Sequence, residues 1–392
     1  MATGQTPDHR QRKLRIVAWG TYDLGKPRVR ILLDGLRNNH VDVIECHKAV
    51  WTGVEDKSQI TGFFSKLKFL LLLLGSYPLL IWRYLRLPDH DAVLVCYMGQ
   101  LDVLVVWPFA KFRRKPIVWD AFLSLYDTVV DDRRMVGTRS PIASLLFAWE
   151  WLACRAADAI LLDTTAHGRY FIETFGLPPS RVHRILVGAE PETFHPPERS
   201  EPPPQSDRPF RVLFYGQFIP LHGIETVVRA AKLSEGCGIH WELIGSGQEQ
   251  DRIRRLIAEL RPANLAWDPW VPYQDLLQRI HRADVCLGIF GQTEKAARVI
   301  PNKVFQIIAS GKPLVTADTP AARELLTAGP DIELVTANDP EDLRQAVLRM
   351  HASAPSREGH AHEDLRERIT PCAVTRPLKD LLAGLARAPS GQ

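Results

Sequence analysis

Short apolar runs recur along this chain, each closed by a glycine or polar turn and most of them followed by a stretch with helical spacing. Residues 14–20 (LRIVAWG) end in glycine and predict a buried parallel strand. Residues 27–38 then set Val29, Leu32, Leu33 and Leu36 on one helical face. Residues 41–46, 92–97, 116–119 and 159–162 predict further strands, with a helix between the 92–97 and 116–119 strands and another after 162. Residues 198–209, with Pro202, Pro203 and Pro204 followed by Gln205 and Ser206, have the composition of a linker. The alternation then restarts: strands at 211–215, 241–244, 285–289 and 313–316, helices at 224–233, 249–260 and 302–310. Strand–helix alternation of this kind predicts an α/β fold built from two doubly wound domains. The expected divisions are 1–205, 206–374 and a closing segment, 375–392. A length of 392 residues also exceeds what one compact core usually holds.

One run breaks the pattern. Residues 69–82 (FLLLLLGSYPLLIW), from Phe69 to Trp82, hold no charge, while Lys66, Lys68, Arg83 and Arg86 flank them. Spanning a bilayer takes about 20 apolar residues, so this run is too short to cross, and Pro78 should kink a helix there. It reads either as an interfacial segment with its basic flanks at headgroup level or as a buried core helix.

Composition refines this picture only slightly. At 45% hydrophobic and 24% charged, the chain is ordinarily globular, and its net charge is +4. That charge is uneven: residues 1–115 carry 18 Lys and Arg against 10 Asp and Glu. The basic N-terminal third, taken with the 69–82 run, points to an anionic membrane surface rather than to nucleic acid; the alternative is scattered solvated charge. The six cysteines are too far apart for metal-ligand pairs and read as small buried hydrophobes of a reducing compartment. The polar first 13 residues lack an apolar signal region, so secretion is not expected.

Candidate chemistry gathers after the strands, where ligands of open α/β sheets bind. The first strand runs into Gly20 and Thr21, with Gly25, Lys26, Arg28 and Arg30 close behind. The strand at 116–119 delivers Asp120, then Ser124, Tyr126, Asp127 and Thr128. These suit acceptor binding or proton handling, with Asp120 the candidate catalytic residue; the alternative is that Asp120 caps a helix. Asp131, Asp132, Arg133 and Arg134 read as a solvated charge cluster. In the second half, Gly216 with Gln217 and His222, and Gly245 with Gly247, are glycine turns that leave N–H groups free for a diphosphate, or plain turn chemistry. Residues 297–313 (ARVIPNKVFQIIASGKP) are the strongest local feature. Pro301 suits the first turn of a helix that Gly311 ends, and Arg298 and Lys303 add cations beside its positive end.

At these residues the chain resembles family 4 of the retaining glycosyltransferases. Four segments carry the resemblance in the right order: RVHRILVGAEPETFHP, FYGQFIPLHGIETVVRAA, LIGSGQEQDRIRRL and RVIPNKVFQIIASGKPLV with TPAAREL after it. The resemblance implies a GT-B fold, two Rossmann-like domains facing across a cleft, with a final helix returning to the first domain. It implies a hexosyl-type enzyme that moves sugar from a nucleotide-diphosphate sugar with retention, without metal or other cofactor. The donor would lie on Gly216, Gln217, His222, Gly245, Gly247, Arg298, Asn302, Lys303 and Gln306. The acceptor, a glycan or lipid-linked glycan, would meet Gly20, Thr21, Lys26, Ser124 and Asp127. Departures from the family pattern are specific: Gln217 stands where the family commonly has arginine and His222 where it has lysine. The family's paired glutamates fall on Arg298 and Gln306. Asp120 falls where members often place a histidine or aspartate near the reacting centre. The chain is therefore expected to work in the cytoplasm, peripheral to the inner membrane face. The readings set against this are a non-catalytic nucleotide- or glycan-binding relative and a GT-B sugar-nucleotide epimerase.

Overall fold

The computed structural model describes residues 13–50, 63–133, 135–197, 208–354 and 360–387; the polar N-terminal segment before residue 13 and the linker at 198–207 lie outside them. Two six-stranded sheets form, every pairing parallel.

The first sheet uses β1 (Arg15–Gly20), β2 (Asp42–His47), β3 (Ala92–Val95), β4 (Ile117–Asp120), β5 (Ala159–Leu162) and β6 (Val182–Arg184), in the order β2-β1-β3-β4-β5-β6. Its central strands are apolar on both faces because both faces are covered, and alternate residues serve opposite cores. Trp19, Val95 and Trp119 face one core, with α2 (Phe63–Arg86), α3 (Gln100–Phe112), α4 (Pro141–Ala156) and α5 (Thr165–Phe175). Ala18, Leu94 and Val118 face the other, with α1 (Pro27–Asn38) and the closing helix.

The second sheet uses β7 (Phe210–Tyr215), β8 (Ile239–Ile244), β9 (Leu265–Asp268), β10 (Val285–Leu287), β11 (Leu314–Ala317) and β12 (Ile332–Val335), ordered β12-β11-β10-β7-β8-β9. Its helices are α6 (Ile224–Leu233), α7 (Gln250–Leu260), α8 (Tyr273–Arg282), α9 (Glu294–Arg298), α10 (Asn302–Ala309), α11 (Pro340–Ser353) and α12 (Glu363–Arg368). The strand order reverses between β7 and β10, which opens a crevice beyond their carboxyl ends. The chain joins this domain's core at Val187, ahead of residue 205, with Ala189 and Phe194 packed in it. The last helix, α13 (Pro371–Arg387), returns to the first domain: Leu378 and Leu382 pack with α1, and Asn39 Nδ2 donates to Thr375 Oγ1 at 2.9 Å.

The 69–82 run lies within one 24-residue helix, α2, with Pro78 inside it. One of its faces is buried and the other exposed. Ser76, Tyr77, Leu80 and Tyr84 are buried, while Leu71, Leu72, Leu74, Leu79, Trp82 and Leu85 are exposed. No helix among the described residues is long and apolar enough to cross a membrane.

Candidate functional site

The two domains enclose a cleft of about 660 Å³. Its floor on the second domain is the switch point between β7 and β10. Gly216 follows β7 with φ +141°, a conformation that favours glycine, and a Cβ there would meet His222 Cε1 at 3.1 Å and Lys303 Nζ at 3.2 Å. His222 ends the 3-10 turn Pro220–His222, and its Nδ1 pairs with the Gln217 carbonyl. Lys303 comes from the first turn of α10. Its Nζ donates to Gly288 O at 3.1 Å, just past β10, and lies 3.6 Å from the centroid of the Phe214 ring. Pro301 takes the N-cap position of this helix, one residue ahead of the expected first turn, and Gly311 follows its end with φ +65°.

Both basic groups are buried. Burial alone holds the Lys303 ammonium well below its ordinary pKa. Burial, and then the charge of Lys303, push His222 well below the usual imidazole value. A buried cation with one neutral carbonyl as its hydrogen-bond acceptor is costly, and an arriving anion relieves it.

The first domain supplies the opposite wall. Tyr97 and Phe122 meet edge to face at 5.0 Å, and the Arg28 guanidinium lies 5.2 Å from the Phe122 centroid. Met98 and Phe122 both line the cleft with φ near +58° and +55°. Left-handed backbone at such residues costs on the order of 1–2 kcal/mol each and tends to cluster at functional sites. Ser124 lines the cleft with its hydroxyl donated to the buried Glu150 at 2.6 Å; Glu150 also accepts the N–H groups of Leu125 and Tyr126, fixing this loop. Burial raises the Glu150 pKa against those hydrogen bonds.

Of the residues singled out in the sequence, the structure brings Lys26, Ser124, Gly216, Gln217, His222, Asn302, Lys303 and Gln306 into this cleft. Arg298 and Asp127 lie beside it. They pair with each other across the domain interface at 2.8 Å, and Lys295 donates to Thr128 next door. Other side chains tie the domains together nearby: Thr164 Oγ1 donates to the Arg298 carbonyl, and Glu324 accepts the first N–H groups of α5, from Thr165 and Ala166.

Five expected site residues sit elsewhere. Asp120 is fully buried and outside the cleft lining. Its Oδ1 accepts from Arg28 Nη2 at 2.7 Å, while Arg28 Nη1 donates to the Ile185 and Leu186 carbonyls. Burial pushes the Asp120 carboxyl up and Arg28 opposes this. Asp120 therefore holds Arg28, and through it the wall around Phe122, rather than facing the cleft itself. Thr21 donates its backbone N–H to Asp102 at 2.9 Å, and a Cβ on Gly20 would strike the same carboxylate. Gly245 and Gly247 are glycines because side chains there would strike the Gly216 carbonyl and the Phe218 backbone. They support the Gly216 turn without lining the cleft.

Several site residues escaped sequence reasoning. The expected solvated cluster is misread at Asp132 and Arg133: Asp132 is buried, and both line the cleft. Arg134 lies outside the described residues. Tyr97, Phe122 and Tyr215 had no signal beyond their place at strand ends, and Tyr273, which opens α8, had none. Glu150 had one, as a lone carboxylate inside the apolar run FAWEWLAC.

Among the described residues no group of three or more His, Cys, Asp or Glu is placed to hold a metal ion. A family model described as glycosyl transferases group 1 matches residues 209–353. A D-inositol 3-phosphate glycosyltransferase of Acidothermus cellulolyticus is 26% identical over 248 residues, 59% of this chain and about half (52%) of that relative's length. By structure, the chain is similar to sucrose-phosphate synthase of Thermosynechococcus elongatus, with TM-score 0.65, 15% identity and coverage of 95% of this chain and 98% of the other. It is likewise similar to Anabaena HepE solved with UDP and glucose, with TM-score 0.63, 15% identity and 95% and 99% coverage. The chain is thus a two-domain protein of GT-B fold whose second domain, over residues 209–353, matches the group 1 glycosyl transferases.

Proposed function

We propose that the chain is a glycosyltransferase that takes a sugar from a nucleotide-diphosphate sugar and passes it to a glycan or lipid-linked acceptor. The observation that carries this reading is the floor of the cleft, where Lys303 and His222 stand buried beneath Gly216 with little to neutralise them. A diphosphate fits that need. When the bond between the anomeric carbon and the diphosphate breaks, negative charge grows on the leaving phosphate, and fixed cations in a water-poor site stabilise it. Gln306, one turn along α10 and in the same cleft, is placed to hydrogen-bond a ribose hydroxyl, and Tyr273 to flank the base. Lys303, with His222 protonated once an anion lies beside it, supplies the charge that a metal ion would otherwise bring, and we read the reaction as metal-independent; a hexosyl donor and retention of configuration follow the family resemblance. The similar proteins include a glycosyltransferase and a protein solved with UDP, which supports the same class of reaction.

A second observation bears on where the protein works. The outer face of α2 exposes six large apolar side chains; α3, packed beside it, adds Trp107 and Phe112, and α4 beyond adds Leu145. Lys68, Arg83 and Arg86 border the α2 face, and Arg86 stacks on Trp82 at 3.8 Å. An apolar face rimmed by cations fits the interface of an anionic bilayer, and it supports the reading that the protein works at the inner face of the membrane on a lipid-linked acceptor.

The test is nucleotide release from a panel of UDP-, GDP- and dTDP-sugars, with and without EDTA. One donor should turn over, equally well in EDTA. Sugar-nucleotide interconversion without transfer, or no turnover of any donor, contradicts the reading.

A further inference from the structure

A second cavity, about 1160 Å³, adjoins the cleft and shares Asp132, Arg133 and Lys295 with it as a common wall. It is formed by the π-helical turn Asp127–Asp132 of the first domain and the loops after β7, β8 and β10 of the second. Its lining holds six carboxylates against four lysine and arginine side chains, with the amides of Gln248, Gln292 and Asn338 among them. Several of these charges neutralise one another: Arg298 with Asp127, and Arg252 with Glu249 and Glu225.

What remains is a set of unmet hydrogen bonds of both kinds. Among the described residues Asp127 Oδ2 has a 3.5 Å ion pair with Lys295 Nζ but no hydrogen-bond donor, Asp132 Oδ1 is an acceptor without a donor, and Arg133 Nε and Arg298 Nε are donors without an acceptor. Asp127 is fully buried and Asp132 is 7% exposed. Buried polar atoms of native proteins are rarely left unpaired, so such a cluster on a cavity wall marks where a ligand's polar groups belong. A phosphate would satisfy the two guanidinium N–H groups but set its charge against two carboxylates, and a cation would do the reverse. A hydroxyl donates and accepts at once and brings no charge. The volume exceeds the roughly 300–1,000 Å³ of pockets that enclose a drug-sized molecule, which leaves room for more than one sugar ring.

We propose that this outer cavity seats the acceptor, and that the part of the acceptor bound there is an uncharged glycan rather than a phosphorylated polyol. The inference rests on the glycosyl-transfer reading above, with the inner cleft taken by the nucleotide sugar. It separates this chain from the inositol phosphate chemistry in the name of its Acidothermus relative.

The experiment uses the full chain saturated with whichever of UDP, GDP or dTDP binds. Matched probes are titrated by saturation-transfer NMR: glucose, galactose, maltotriose and inositol, against glucose 6-phosphate, galactose 6-phosphate, maltotriose phosphate and inositol 3-phosphate. At least one neutral member should bind about tenfold or more tightly than its phosphorylated partner. Asp132→Asn should weaken that neutral probe about tenfold, the loss of a charge-assisted hydrogen bond, and narrow the discrimination. Asn338→Ala, on the outer cavity alone, should weaken it about threefold, so the proposal does not hang on one variant's folding. Equal or tighter binding of the phosphorylated partners, or no binding of any neutral probe while nucleotide binds, overturns the proposal. If no nucleotide binds at all, the glycosyl-transfer reading fails first.

Discussion

Replacing Lys303 with methionine should raise the stability of the protein and weaken its hold on a nucleotide diphosphate. The Lys303 ammonium has a neutral carbonyl at 3.1 Å and an aromatic face at 3.6 Å, and no carboxylate among the described residues hydrogen-bonds it. Burying an ammonium carries an effective penalty of several kcal/mol. The carbonyl bond offsets roughly 1.5–3 kcal/mol of that and the ring about 2. Methionine matches the side chain's length, removes the charge and leaves the Gly288 carbonyl one bond short. Replacing buried charged groups by apolar ones of similar volume is often neutral or stabilising by about 1–4 kcal/mol, and a gain of about 1–2 kcal/mol here raises the melting temperature by roughly 2–8 °C for domains of this size. Nucleotide binding loses a charge-assisted hydrogen bond of about 1.5–3 kcal/mol, so Kd should rise roughly 10- to 150-fold. Differential scanning calorimetry and a titration of the same samples at the same pH measure both. A lower melting temperature with unchanged Kd would refute the reasoning, because it would make Lys303 a structural donor to Gly288 and no more.

Other outcomes follow from the same geometry. Asp120→Asn strands the Arg28 guanidinium in the core and should cost about 3–5 kcal/mol, read as a lower urea midpoint; an unchanged midpoint with activity abolished would instead make Asp120 a direct participant in the chemistry. Lys303 and His222 have depressed pKa values in the free protein, and an anion beside them raises both, so nucleotide binding takes up protons. Affinity should therefore fall as the pH rises from below 6.5, the ordinary imidazole value, and calorimetry in two buffers of different ionisation heat should record net uptake near neutrality. On the outer face of α2, Leu71→Asp with Leu74→Asp should abolish co-sedimentation with vesicles containing anionic lipid and leave the melting temperature within a few degrees, since both side chains are exposed; retained sedimentation would remove the membrane from the account.

The central strands were legible because strands buried on both faces read as unbroken apolar runs, and β1, β3, β4, β5 and β7 lie within a residue or two of where those runs predict them. β6, β9 and β12 were missed for the opposite reason: they are edge strands of three or four residues and largely half-buried, so no long apolar run marks them. The glycine turns were visible, but not why each glycine is there. Gly216 opens onto the cleft while Gly245 clears the Gly216 carbonyl, a contact made by folding. The domain interface was least legible. Arg298 meets Asp127 across 171 positions of sequence, and Asp132 is buried by a neighbouring domain that a local charge run cannot report. Arg298 stands where the family resemblance implies a glutamate. The partner it finds, Asp127, is why the position tolerates the opposite charge.

The most direct measurement of the central claim is a calorimetric titration of UDP, GDP and dTDP into the full chain. One of the three should bind with 1:1 stoichiometry at micromolar Kd, and Lys303→Met should remove most of that affinity. No binding of any of them at millimolar concentration, or binding that the Lys303 variant leaves intact, would contradict it.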